Sequence, residues 1–311
     1  MLPFSDPSTF SAILSDSKAL EIVNETTKRQ FSNIKRIENG CNSICFCLDD
    51  QYIARFAANE YSYRKLKNEK AILDFLEGQS TIKIPEPIMY KSDPAFLLHK
   101  MVEGENLSSD MFLTLNTEKK HKFASDIIDF VSFMHSFSLD DVKSLNLKYW
   151  NRYESFLSPK KLFETIEKLD TKLKPAELEY LRGLCERYEI ITQENADLVF
   201  GHCDIMVKNI AFNTESNTLN GLYDFGDSGL VHREFEFSQM MMDWPSEFLP
   251  LALNAYFEKT DIKVDQGKVM DHMLYCRASF YSSRLLEAEE KRISGSSKLL
   301  KVAIKRHQGL D

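Results

Sequence analysis

No apolar run in the 311 residues approaches the roughly 18–20 that a membrane-spanning helix needs. The first twenty residues, MLPFSDPSTFSAILSDSKAL, have no basic stretch leading into an apolar one, so no secretion signal is expected. Basic residues are in deficit: 39 Lys and Arg stand against 47 Asp and Glu, a formal charge of −8. A chain that grips nucleic acid through its phosphates needs a basic surface, so neither nucleic acid nor membrane is expected as a partner. The six cysteines form no CxxC, and Cys45 and Cys47 alternate within one apolar run, as on one face of a strand rather than in a metal knuckle. They are expected to be free, buried thiols in a reducing cytoplasm. Glycine is scarce, at 11 residues, and nowhere forms GxGxxG. There is no internal repeat and no low-complexity segment. The remaining composition, 43% hydrophobic and 28% charged, is that of an ordinary globular protein, and its length suits about two lobes.

Periodicity divides the chain. Residues 7–30 alternate apolar and charged positions at helical spacing. Residues 33–57 read as three strands, NIKRIEN, SICFCLDD and QYIARFA, with turns at Asn39-Gly40 and Asp49-Asp50. Residues 60–77 return to helical period, with Gly78 as a stop. Two short strands follow, near 88–90 and 96–101. From about 106 the chain is mainly helical: 117–137, with Thr117 as a candidate N-cap, then 148–168 and 175–193, with breaks at Pro159 and Pro175. A β-rich island spans 198–200, 210–212 and 219–223. Helices over 245–259, 265–290 and 296–307 finish the chain, with Phe280-Tyr281 read as core. The pattern predicts an α+β protein: an N-terminal lobe over 1–101, built on an antiparallel sheet of about five strands, and a helical lobe over 102–311.

Two strings inside the β island carry chemistry. One is His202-Cys203-Asp204-Ile205-Met206-Val207-Lys208-Asn209; the other, fifteen residues beyond Asn209, is Asp224-Phe225-Gly226-Asp227. Phosphoryl transfer needs a carboxylate to orient and deprotonate an incoming hydroxyl, and it needs hard oxygens to hold Mg²⁺ against nucleotide phosphates. Asp204 suits the first role, with His202 beside it. Asn209 and Asp224 suit the second. Six specified residues at fixed spacing arise by accident in roughly one chain in 10⁵, which favours a functional origin over a turn with a structural histidine.

On these strings the sequence resembles the aminoglycoside phosphotransferase and choline kinase-like family, which has the two-lobed protein-kinase-like fold. The resemblance runs from about residue 33 to about 290. It is nearest the aminoglycoside 2″-phosphotransferase branch, through Asn39-Gly40-Cys41-Asn42-Ser43, Tyr52-Ile53-Ala54-Arg55-Phe56, Met101-Val102-Glu103-Gly104-Glu105 and Phe133-Met134-His135-Ser136. It implies an O-phosphotransferase that takes ATP or GTP with Mg²⁺ and modifies a small hydroxylated, cationic acceptor. Arg55, where Lys is usual, is then the cation for the nucleotide phosphates, braced by Glu69. Gly40 and Ser43 belong to the loop over the phosphates, and Lys100 and Met101 to the crossover that meets the base. The family commonly has an Asp about ten residues after Asp-Phe-Gly-Asp; Glu236 stands there with one methylene more. For a polycationic acceptor the candidate ligands are Glu236, Asp243 and Glu247, the last two sharing a helix face if the helix continues; Asp271, Glu287, Glu289 and Glu290 are further acids. The residues leave open another acceptor, such as choline, a sugar or a macrolide, and a non-catalytic nucleotide-binding relative. No Ala-Pro-Glu follows Asp224, which disfavours a protein kinase.

Overall fold

The computed structural model describes residues 14–37, 43–147, 157–193, 198–288 and 290–309. In chain order the elements are α1 (Asp16–Thr27), β1 (Ile34–Ile37), β2 (Ser43–Leu48), β3 (Tyr52–Ala57), α2 (Glu60–Leu76), β4 (Glu86–Ser92), β5 (Ala95–Lys100) and β6 (Glu105–Asn106). Then come α3 (Ser109–Thr114), α4 (Thr117–His135), α5 (Leu139–Ser144), α6 (Pro159–Leu169), α7 (Pro175–Gln193), β7 (Leu198–Gly201), a 3₁₀ turn (Val207–Asn209), β8 (Ile210–Asn213) and β9 (Thr218–Leu222). A second 3₁₀ turn (Phe225–Asp227), β10 (Gly229–His232), α8 (Arg233–Asp243), α9 (Phe248–Thr260), α10 (Gln266–Glu287) and α11 (Glu290–His307) complete the described chain.

The chain gathers into two units. The first takes the described residues of Met1–Leu107, Lys143–Lys148 and Lys208–Ser228; the second takes those of Ser108–Val142, Tyr149–Val207 and Gly229–Asp311.

The first unit is built on an antiparallel sheet in the order β1-β2-β3-β5-β4. Its period-2 pattern sends Ile44, Phe46, Leu48, Ala54, Phe56, Phe96 and Leu98 to one face, where they bury against Ala19 and Val23 of α1. Phe56 stacks on Phe96 with ring centroids 5.1 Å apart. Asp49 and Asp50 both have positive φ in the tight turn between β2 and β3, and the Asp49 carboxylate accepts from the Ser32 and Asn33 N–H groups. Cys45 and Cys47 share the opposite face of β2 and are half-buried, not buried as expected. The described cysteines are free. A capping box starts α2: Asn59 accepts from Ser62 N–H, and Ser62 Oγ accepts from Asn59 N–H. The smaller sheet of this unit, β6-β8-β9, holds the 208–228 segment, with Gly221 pressed on Lys83, where a Cβ would lie 2.2 Å from the carbonyl oxygen.

In the second unit β7 and β10 form a two-stranded antiparallel ladder among helices. α10 runs through its core against α6, α7, α8 and α11, and Tyr188 and Tyr275 stack at 3.6 Å inside it. Several expectations are corrected. α4 is capped by Asn116, whose side chain accepts from Lys119 N–H, and Thr117 is its first residue. Pro159 and Pro175 open α6 and α7, because a first-turn residue has no use for an N–H. Of the Phe280-Tyr281 pair, Tyr281 is core and Phe280 is 56% exposed. β10 was not foreseen: Gly229-Leu230-Val231-His232 is too short to show a period.

Candidate active site

Arg55 projects from β3 on the face opposite the Phe46–Phe56 core. Its Nη1 lies 2.7 Å from both oxygens of Glu69 on α2, and its Nη2 lies 3.0 Å from Asp224 Oδ1. The Glu69 side chain is fully buried and that of Arg55 is 12% exposed. Burial opposes charge on Arg55, but Glu69 and Asp224 outweigh it and hold the guanidinium above its ordinary pKa. Burial pushes the Glu69 carboxyl up against the pull of Arg55. Arg55 thus sits between Glu69 and the Asp-Phe-Gly aspartate Asp224, where a planar fork can bridge two carboxylates.

The β8–β9 hairpin explains how Asn209 and Asp224 come side by side. Its ladder pairs Ile210 with Leu222, and just beyond the ladder Tyr223 N–H donates to Asn209 O at 3.2 Å. The Tyr223 hydroxyl donates toward Lys208 O and Asn106 Oδ1, fixing the same corner. Asp224 then turns the chain with φ 70°, in the left-handed region that Asp tolerates. Among the described residues no three His, Cys, Asp or Glu form a metal cluster. A carboxylate and an amide oxygen nevertheless fit Mg²⁺, a hard cation that takes few protein ligands and completes its shell with water and phosphate.

Ser43 opens β2 with its hydroxyl buried and without a hydrogen-bond partner among the described residues. Gly40 lies outside the described residues. Lys100 is exposed at the end of β5, and Met101 gives its N–H to Gln51 O at 2.8 Å, so only its carbonyl is left to offer a base. His99, one residue earlier, is buried, and burial pushes its pKa down to about 4.

In the second unit the segment after β7 carries His202 and Asp204. His202 is buried, and its Nδ1 accepts from Asp204 N–H at 3.3 Å. α8 braces this segment at both ends. Glu236, fully buried, accepts the Cys203 N–H at 3.0 Å. Asp243 Oδ1 accepts the Val207 N–H at 3.1 Å, and Trp244 Nε1 donates to Ile205 O at 3.0 Å. Burial pushes the Glu236 carboxyl up to about 7, against the Cys203 and His202 amides that favour its charge. Room for its longer side chain comes from Gly201, where a Cβ would lie 2.3 Å from Glu236 Oε2.

These contacts alter the reading of the acceptor acids. Glu236 has no exposed surface to offer an acceptor. Asp243 is the last residue of α8 and Glu247 the residue before α9, so the two do not share a helix face; Pro245 separates the helices. Glu247 is exposed and paired with Lys120 at 2.7 Å. The bracing by Asp243 and Trp244 had no local signal beyond Trp beside Asp at a helix end. Lys65 was also missed: it is buried on α2 and contacts Asp227 at 2.5 Å.

The sequence profile of the phosphotransferase enzyme family matches residues 33–268. The chain belongs to this family. Structures similar to this phosphotransferase include the GDP complex of wild-type aminoglycoside 2′-phosphotransferase-IIIa, at a TM-score of 0.83, 17% identity and coverage of 94% of this chain and 99% of that one. The gentamicin complex of aminoglycoside phosphotransferase (2″)-IIa matches at 0.73 and 19% identity, covering 92% and 96%. A macrolide 2′-phosphotransferase from Brachybacterium faecium matches at 0.61 and 14%, covering 91% and 97%. At these identities the likeness bears on fold, which is the α+β, protein-kinase-like fold expected. No helix among the described residues is long and apolar enough to cross a membrane.

Proposed function

We propose that this phosphotransferase moves the γ-phosphoryl group of ATP or GTP, in the cytoplasm, to a hydroxyl of an aminoglycoside-like polycation, within the 2″ branch of the family. The observation that carries the reading is Arg55 held between Glu69 and Asp224. That arrangement joins a phosphate-binding cation, its brace and a metal-bearing carboxylate. The acceptor oxygen attacks the γ-phosphorus, the bond to the β-phosphate oxygen breaks, and the hydroxyl proton passes to the Asp204 carboxylate. His202 supports Asp204 through its backbone. Arg55 neutralises the α/β-phosphates, and Ser43 belongs to the loop over them. Asn209 and Asp224 hold Mg²⁺, which supplies charge neutralisation on the phosphates. The cationic acceptor suits an acidic chain of net charge −8, and it matches the gentamicin bound by one similar structure.

The test is coupled nucleotide turnover with ATP and with GTP against aminoglycosides, choline, macrolides and sugars. Aminoglycosides are expected to turn over, and Asp204→Ala is expected to lose at least about 10³-fold in kcat while still binding nucleotide. Wild-type turnover in Asp204→Ala removes Asp204 from its role. Turnover with uncharged acceptors alone overturns the acceptor class.

A further inference from the structure

Tyr61, Lys65 and Glu69 recur every four residues and form one stripe along α2. Glu69 is the brace already described; Lys65 reaches the 224–227 segment as well, and Tyr61 lies beside Lys65. Lys65 is 6% exposed, and its ammonium meets Asp227 Oδ2 at 2.5 Å, with the Tyr61 ring 5.7 Å away. The aliphatic stem of Lys65 lies against Gly226, where a Cβ would fall 3.1 Å from Cε and 3.3 Å from Cβ. A buried ammonium loses its hydration and is retained only where nearby charge compensates; here Asp227, and more distantly Asp224, hold it above its ordinary pKa.

Three successive attachments therefore tie one short segment to β3 and α2. Asp224 is bound by Arg55, the Phe225 N–H is hydrogen-bonded to Glu69, and Asp227 is bound by Lys65. The first two belong to groups with a role in phosphate and metal binding. The third has neither role, yet it fixes the far end of the turn whose near end is Asp224. It also occupies the one other carboxylate of the Asp-Phe-Gly-Asp string.

We propose that Lys65 and Asp227 are a positioning pair: their ion pair clamps the 225–227 turn to α2 and thereby sets the direction in which Asp224 presents its carboxylate. This rests on the reading of Asp224 as a metal-bearing residue. Loosening the clamp lets the turn rotate, so Asp224 is displaced while the phosphate-binding cation stays in place. Turnover then suffers more than nucleotide affinity, because a displacement near 1 Å costs about 10²-fold in rate.

Four variants test the pair: Lys65→Met, Lys65→Arg, Asp227→Asn and the double Lys65→Met/Asp227→Asn. Hydrogen exchange of the 225–228 amides is read in metal-free, nucleotide-free protein, and steady-state kinetics are read with Mg²⁺ and nucleotide varied. In Lys65→Met, exchange at 225–228 is expected to rise about tenfold or more while the β2 and β3 amides stay unchanged. Its kcat is expected to fall about 10²-fold, with the nucleotide KM moving less than about threefold. Lys65→Arg recovers most of the rate, and the double variant is no worse than Lys65→Met. Exchange at the wild-type level in Lys65→Met overturns the pair, as do losses that multiply in the double variant. A nucleotide KM that rises as much as kcat falls also overturns it, since Lys65 would then be a phosphate ligand. If the wild-type protein phosphorylates no acceptor, the functional reading fails, and the exchange measurements still decide the clamp.

Discussion

The two segments proposed to carry the chemistry are held in opposite ways. The Asp224–Asp227 turn of the first unit is fixed mainly through its side chains, by ion pairs to Arg55 and Lys65. The His202–Val207 segment of the second unit is fixed through its backbone: Glu236, Asp243 and Trp244 bind the Cys203 N–H, the Val207 N–H and the Ile205 carbonyl. Asp224, the carboxylate proposed to meet metal and phosphate, is held among compensating charges, which can exchange partners as ligands arrive. Asp204, the proposed base, stands on a chain path fixed by hydrogen bonds to the main chain on either side of it. The first arrangement concentrates its energy in a few buried charges; the second spreads it over ordinary hydrogen bonds.

The contrast breaks most visibly at Arg55. Arg55→Met leaves Glu69 buried without its counter-ion and is expected to cost about 3–5 kcal/mol in denaturant unfolding. A loss below 1 kcal/mol would show that the first unit does not depend on its charges.

Glu236 is the fully buried carboxyl in the backbone-held segment's brace, and pH sharpens the comparison there. Its folded pKa, about 7, lies above the ordinary 4.5, so between those values the folded chain keeps a proton that the unfolded chain has released. Its contribution to stability is therefore greatest below pH 4.5 and is lost as pH rises toward 7. The loss is about 3 kcal/mol across the window. Glu236→Gln is expected to flatten that slope in unfolding measured from pH 5 to pH 8; an unchanged slope places the titration elsewhere.

The smallest of the three effects concerns shape. Gly201→Ala drives a methyl into the Glu236 carboxylate and is expected to cost about 1–3 kcal/mol. Adding Glu236→Asp, one methylene shorter, is expected to restore most of it. A double variant no more stable than Gly201→Ala alone would separate the two positions.

The outline of both segments was legible in sequence because it is written locally. The strands around Arg55 alternate with period 2, Glu69 falls mid-helix, and the strings at 202–209 and 224–227 are contiguous. The clamps were not legible. Lys65 meets a residue 162 positions away, and within Lys65-Leu66-Lys67-Asn68-Glu69-Lys70 it looks like one more solvated lysine. Asp243 and Glu247 have the spacing of a shared helix face, but Pro245 ends that continuity, and the freed Asp243 turns to a backbone amide. The capping shift from Thr117 to Asn116 is a competition between two adjacent side chains of nearly equal merit, which only the realised backbone decides.

The bare α-carbon at position 201 also restricts which substitutions the chain can take singly, because any larger residue there takes the space of the Glu236 carboxylate. Random mutagenesis of this enzyme should accordingly find position 201 nearly barren, and it should open only in clones that have already shortened residue 236.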